Sequence, residues 1–123
     1  MSDYGVLLVS HVPQIVEGLS ILLREVAPDV AITAAGGTDD GGVGTSFDKI
    51  QTAVLKNAGE SLLAFYDLGS SKMNLDMVAE LSDKKIEIFD TAFIEGAYTA
   101  TALLQAKVPY HEILKQLEPL KVK

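Results

Sequence analysis

The chain is expected to fold as an α/β domain, with a doubly wound, mostly parallel open sheet and helices on both faces. Three features predict this. Short apolar runs alternate with stretches of helical period at least four times along the sequence. The runs are continuously apolar, as strands buried on both sides are. A length of 123 residues suits one core and offers too few units for a barrel. Right-handed crossovers then make neighbouring strands parallel. Residues 1–123 are read as a single domain.

Each element follows in turn. Gly5 to Ser10, GVLLVS, is the first strand. Residues 14 to 26 change period, with Ile15, Val16, Leu19, Leu22, Leu23 and Val26 forming one apolar stripe. Pro13 suits the first turn of that helix, where its missing N–H costs nothing, and Pro28 and Asp29 end it. Val30 to Ala34 is the second strand, and a glycine-rich loop follows over residues 35–46. A second helix is expected from about Ser46 to Ala58, with Ile50, Val54 and Leu55 inward and Gly59 as its stop. Leu62 to Tyr66 is the third strand and Asp67, Leu68 and Gly69 its exit. The third helix carries Met73, Met77, Val78 and Leu81, and Lys85 to Phe89 is the fourth strand. About Thr91 to Lys107 reads as helix with Phe93, Ala97, Ala100, Leu103 and Leu104 inward. Pro109 separates a last helix containing Ile113, Leu114 and Leu117.

Composition excludes several functions. At 48% hydrophobic and 22% charged residues the chain is not a disordered one. It has no cysteine, so neither a disulfide framework nor thiolate chemistry is available. A net charge of −7 makes an extended nucleic-acid surface a poor reading. No basic stretch precedes the first apolar run and no run reaches the length of a membrane span, so no membrane association is expected and the location is read as cytoplasmic. Two histidines far apart, without cysteine, make a poor zinc signature, and no metal is expected on the chain.

Sites in open parallel sheets form beyond the C-terminal ends of the strands. Three polar features fall on that edge. Ser10 and His11 leave strand one, the glycine-rich loop leaves strand two, and Asp67 and Gly69 leave strand three. Histidine is competent as acid, base or nucleophile near neutral pH. His11 lies just before a helix, whose free N–H groups can hold the oxygens of an anion. Asp67 is a candidate to orient the imidazole; its plainer reading is a strand-end turn. His111, beside Tyr110 and Glu112, reads as an exposed structural residue.

Residues 36–46, GGTDDGGVGTS, contain five glycines among eleven residues. No lysine follows the glycines, so this is not a nucleotide phosphate loop. Asp39 and Asp40 lack a third carboxylate at calcium-loop spacing. Thr38, Thr45 and Ser46 either donate to phosphate oxygens or cap the next helix. Lys49 follows three places after Ser46, so the reciprocal capping box is absent.

Taken in order, LLVSHVPQIVEGL, AAGGTDDGGVGTS and YDLGSSKMNLD resemble the phosphotransferase subunit of the phosphoenolpyruvate-dependent dihydroxyacetone kinase, a relative of the mannose-type enzyme IIA domains of the bacterial sugar phosphotransferase system. The resemblance covers essentially the whole chain. It implies a mannose-type enzyme IIA-like fold, commonly a homodimer, and a phosphoryl group carried on the histidine that ends the first strand, His11 here. It places the family's strand-three aspartate on Asp67 and its loop residues on Gly37, Thr38 and Gly44. Ser10, Thr45, Gly69 and Ser70 complete the expected phosphate or partner contacts. The implied donor is the histidine-containing phosphocarrier protein. The implied acceptor is ADP, held with magnesium in the nucleotide-binding subunit of the kinase, while a separate dihydroxyacetone-binding subunit holds the sugar. No cofactor is expected on this chain itself.

Two other readings stand beside this one. An enzyme IIA subunit of a mannose-type sugar transporter would pass phosphate to another transporter domain. A receiver-like regulatory domain would use Asp67 as its acceptor, but needs an acidic pair after strand one, where this chain has Ser10-His11. Phosphohistidine is lost in acid and survives base, whereas an acyl phosphate is labile in base, which separates the classes.

Overall fold

The structure is a computed structural model and describes residues 3–123. Strands β1 (Tyr4–Ser10), β2 (Ala31–Gly36), β3 (Ser61–Tyr66) and β4 (Lys85–Phe89) alternate with helices α1 (Pro13–Val26), α2 (Phe47–Lys56), α3 (Gly69–Leu81) and α4 (Phe93–Gln105). Helix α5 (Tyr110–Leu117) and a 3-10 turn (Glu118–Leu120) complete the chain. The four strands form one sheet in the order β2-β1-β3-β4, parallel throughout. The chain steps from β1 to β2 on one side and returns to β3 on the other, so the order reverses between β1 and β3. That is where doubly wound sheets open a crevice for a site.

Both faces of the sheet are covered, as the apolar runs require. Val6, Leu8, Leu63 and Phe65 face α1, α4 and α5, whose Val16, Leu19, Leu23, Ala97, Ala100, Leu104 and Ile113 close that layer. Leu7, Val9, Leu62, Ala64 and Tyr66 face α2 and α3, closed by Ile50, Ala53, Val54, Leu75 and Val78. Each fully buried leucine or valine contributes about 1.5–3 kcal/mol by leaving water. A two-sided central strand such as β3 therefore anchors both layers, and the position of its C-terminal end is well fixed.

The helical stripes differ from the sequence expectation at several positions. In α1, Val16, Leu19 and Leu23 are buried but Ile15 and Leu22 are exposed. In α2, Leu55 points outward. In α3 the difference is largest: Met73, Met77 and Leu81 are exposed, while Ser71, Leu75 and Val78 face the sheet. Apolar residues lie on both sides of this helix, so periodicity alone does not choose its inner face. The choice follows from its first turn, because Ser71 must sit at the sheet edge beside Asp67.

Boundaries shift for identifiable reasons. β2 runs one to two residues later than expected. α2 ends at Lys56, earlier than Ala58, because Asn57 turns inward. Its buried amide donates to the Val6 carbonyl at 3.1 Å and the Thr33 hydroxyl at 3.0 Å, and accepts from Gly59 N–H at 2.9 Å. α4 starts at Phe93, because Thr91 is paired in an isolated antiparallel bridge with Lys121. Among the described residues no helix is long and apolar enough to cross a membrane.

Candidate functional site

β1 and β3 are in register, Val9 opposite Tyr66, so Ser10 and Asp67 follow as neighbours at the reversal of strand order. Asp67 N–H donates to the Val9 carbonyl at 3.2 Å and continues the ladder by one bond. The Asp67 carboxylate then turns across to the exit of β1. One oxygen, Oδ2, accepts from Ser10 Oγ at 2.8 Å and from the backbone N–H of His11 at 2.9 Å. The other, Oδ1, lies 3.0 Å from His11 Nδ1 and accepts from Ser71 Oγ at 3.0 Å and Leu68 N–H at 2.7 Å. Burial alone would raise the Asp67 pKa. The hydrogen bonds from the His11 backbone and ring, Ser10 and Leu68 outweigh it and hold the carboxyl at about 2. Asp67 is ionised at neutral pH.

An ionised carboxylate only accepts, so the ring nitrogen facing it carries the proton. Nδ1–H of His11 is thus fixed toward Asp67, with the Ser71 hydroxyl also 2.9 Å away. Nε2 is left with its lone pair and meets the Ser70 hydroxyl at 2.6 Å. The His11 side chain is only 15% exposed, but Nε2 sits at the rim, next to the exposed Gly69 and Ser70.

The helices add polarity in the same place. α1 and α3 begin beside His11, and neither has a side-chain cap. Their uncapped N-termini carry partial positive charge, and α3 opens with the N–H groups of Gly69 and Ser70. α2 begins on the same sheet edge but is closed: Ser46 Oγ accepts from Lys49 N–H at 3.1 Å and donates to Asp39.

The glycine-rich loop touches the site through its backbone. Gly37 N–H donates to the Ser10 carbonyl at 3.1 Å, and Gly44 N–H to the His11 carbonyl at 2.9 Å. Both glycines have positive φ, +77° and +143°, which side-chain-bearing residues rarely adopt. A Cβ on Gly37 would also lie 2.7 Å from the Gly42 carbonyl oxygen.

Of the residues singled out in the sequence, Ser10, His11, Asp67 and Ser70 converge, with Gly69 at the start of α3 and Gly37 and Gly44 behind them. Thr38 and Thr45 do not join them through their side chains. Thr38 bonds Asp40 and accepts from Gly42 N–H at 3.0 Å, closing its own turn. Thr45 Oγ1 accepts from Asn74 Nδ2 at 2.9 Å and ties the loop to α3. Asp39 and Asp40 are spent on Ser46 and Thr38. Among the described residues no three carboxylates or histidines gather as a metal site. His111 stands on α5, 73% exposed, with Nε2 3.5 Å from Glu112. Ser71, which is not among the residues expected from the sequence, joins the site. Its signal was present: it lies four places after Asp67, one helical turn, in the doubled serine of DLGSS.

A family model described as the fructose IIA component of the phosphotransferase system, EIIA-man, matches residues 5–114. The chain belongs to the EIIA-man family. Among curated relatives of this family member, the phosphotransferase subunit DhaM of a PTS-dependent dihydroxyacetone kinase from Lactococcus lactis subsp. lactis is 50% identical over 117 residues, covering 95% of each chain. The phosphoryl donor subunit DhaM of PEP-dependent dihydroxyacetone kinase 1 from Listeria innocua is 42% identical over 120 residues, covering 98% of this chain and 97% of the relative. A crystal structure of an unknown-function protein, EF1359, superposes with a TM-score of 0.85 at 23% identity, covering 100% of this chain and 98% of that one. That likeness concerns the EIIA-man fold alone.

Proposed function

We propose that this EIIA-man chain is the phosphoryl donor subunit of a phosphoenolpyruvate-dependent dihydroxyacetone kinase and that it carries the phosphoryl group on Nε2 of His11. The observation that carries the site assignment is the pairing of Nδ1 with an ionised Asp67 at 3.0 Å, which leaves Nε2 as the nucleophile. The near-full-length identity to two DhaM subunits supports the kinase over a sugar transporter. The receiver-like reading fails on a physical count as well: the Asp67 oxygens already serve five donors, including the His11 backbone and Ser10.

The donor is the histidine-containing phosphocarrier protein. The Nε2 lone pair attacks the phosphorus in line, the new N–P bond forms as the bond to the donor's imidazole breaks, and the donor ring leaves neutral. The proton on Nδ1 stays, so the phosphorylated His11 ring is cationic. Asp67 stabilises that cation and fixes its orientation. The phosphorus takes the place beside Nε2 that the Ser70 hydroxyl holds at 2.6 Å, so that hydroxyl rotates aside to donate to a phosphoryl oxygen, while the first N–H groups of α3 are already in place.

In the second half-reaction a β-phosphate oxygen of ADP attacks, the N–P bond breaks, and Nε2 recovers its lone pair. ADP and magnesium sit in the nucleotide-binding subunit, and the ATP formed there phosphorylates the sugar on the dihydroxyacetone-binding subunit. The relay works in the cytoplasm, as one domain spanning 1–123 and as a homodimer. In α4, Gly96, Ala97, Ala100, Thr101 and Leu104 are buried within the chain, and Ile94 and Tyr98 are left at the surface for a second copy. Sedimentation equilibrium tests the dimer, and a monomer across the micromolar range rejects it.

The deciding assay gives labelled phosphoprotein to ADP alone, to the nucleotide-binding subunit with ADP and magnesium, and to a mannose-type transporter subunit. ATP is expected only in the second mixture. Transfer only to the transporter subunit contradicts the kinase role, and rapid transfer to free ADP contradicts the division of labour.

A further inference from the structure

Folding gathers cations that are dispersed in the sequence. After the 3-10 turn, residues 121–123 run back across the C-terminal ends of β3 and β4. Main-chain bonds hold them there: Ala92 N–H to the Leu120 carbonyl at 2.9 Å, and Val122 and Lys123 N–H to the Asp90 carbonyl at 3.0 and 3.2 Å. This strap delivers Lys123 Nζ to the Tyr66 carbonyl at 2.6 Å and the Thr91 carbonyl at 2.7 Å, and 4.0 Å above the Tyr66 ring centroid. The Tyr66 carbonyl belongs to the peptide unit that leads into Asp67. Both acceptors of the ammonium are neutral, so its charge is not consumed by a contact ion pair there. Asp90, the next carboxylate along the edge, is occupied by Lys72 at 3.0 Å and by the Tyr66 hydroxyl.

We propose that Lys123 is a positioning residue for phosphoryl transfer at His11. It clamps the peptide that presents Asp67, and its charge offsets that of the Asp67 carboxylate. Asp67 must stay ionised to hold Nδ1–H, yet its negative charge, across the ring from Nε2, repels an incoming phosphoryl group. A fixed cation one peptide away relieves this conflict. Burial holds the Lys123 pKa below the ordinary lysine value, and the fields of Asp67 and Asp90 only partly oppose that lowering. The titratable and charged groups facing this corner are His11 from the β1 exit, Lys123 and Lys121 from the strap, Asp90 just after β4 and Lys72 from α3. The proposal rests on the phosphohistidine reading given above.

The test compares full-length wild type with Lys123→Gln, Lys123→Met and Lys123→Arg. The first readout is the initial rate of His11 phosphorylation by phosphoenolpyruvate and the general donor proteins. The second, which needs no donor, is the carbon-13 titration of the Asp67 carboxyl. The neutral variants are expected to slow transfer on the order of tenfold, as a displaced positioning group does. Their Asp67 carboxyl should titrate at higher pH, since a cation that favoured the carboxylate is gone. Arginine should restore both to near wild type. Wild-type rates with an unmoved Asp67 titration in the neutral variants overturn the proposal, even if their melting temperature falls, because Lys123 is then only a fastener. Loss of the fold in both neutral variants also contradicts it, since the main-chain bonds of the strap are expected to hold without the ammonium. A wild-type chain that accepts no phosphate sinks the relay reading instead, and the Asp67 titration still decides the electrostatic part.

Discussion

Two polar loops leave the same edge of the sheet, and they use similar residues for opposite ends. The β3–α3 corner, Asp67 to Ser71, sends its side chains to His11. The β2–α2 loop, residues 36–46, turns its side chains on itself or, for Thr45, onto Asn74 of α3, and none to His11. Its serine caps α2, its aspartates take that serine and Thr38, and only the backbone N–H groups of Gly37 and Gly44 reach the β1 exit. A hydroxyl near a phosphate site therefore counts only when the local turn leaves it free. The corner satisfies this because α3 starts without a side-chain cap, so its first N–H groups and Ser70 remain available.

Substitutions can break this contrast. The largest effect is expected at the nucleophile: His11→Ala abolishes phosphorylation, and His111→Ala leaves it intact, as read by mass spectrometry under neutral conditions. Asp67→Ala comes next, slowing transfer by about 10–100-fold while circular dichroism stays native, since it removes the group that fixes the tautomer. Unchanged rates in both directions would reduce Asp67 to a turn residue. Ser70→Ala and Ser71→Ala should each slow transfer about fivefold, the kinetic equivalent of roughly 1 kcal/mol for one hydrogen bond. In the other loop, Thr38→Ala and Thr45→Ala should leave transfer rates near wild type. Ser46→Ala should lower stability by about 1 kcal/mol through the lost cap, without slowing transfer, as read by urea titration alongside the assay.

Acid sharpens the same comparison. Asp67 titrates at about 2 in the fold against an ordinary 3.8, so the unfolded chain binds this proton more readily. The stability that the ionised carboxylate contributes is complete above its unfolded pKa and is lost as pH falls through the folded one. The stability difference between wild type and Asp67→Asn should be constant near neutral pH and shrink between about 4 and 2. A difference that stays flat across that window would contradict the hydrogen-bonded geometry of Asp67.

Much of the architecture was legible because it follows from period and order. Continuous apolar runs separated by amphipathic stretches leave little alternative to a parallel sheet covered twice, and strand order then puts Ser10, His11 and Asp67 on one edge. The face of α3 was not legible. Its methionines and Leu81 suggest one inner stripe, and the buried set is another, chosen by the anchoring of Ser71 at Asp67. The fate of Thr38 and Thr45 was equally hidden, since which oxygen a turn consumes depends on the glycine dihedrals around it. Lys123 was hidden for a third reason: an isolated antiparallel bridge between Thr91 and Lys121 leaves no mark in sequence periodicity.

The central claim is that the phosphoryl group resides on Nε2 of His11 because Asp67 holds Nδ1. Nitrogen-15 and phosphorus-31 NMR of the phosphorylated, histidine-labelled protein reads this directly, through the coupling of phosphorus to one ring nitrogen and of a proton to the other. The account predicts phosphorus on Nε2, a proton retained on Nδ1, loss of the signal in acid and its absence in His11→Ala. Phosphorus bonded to Nδ1, or a signal that persists in His11→Ala, would contradict it.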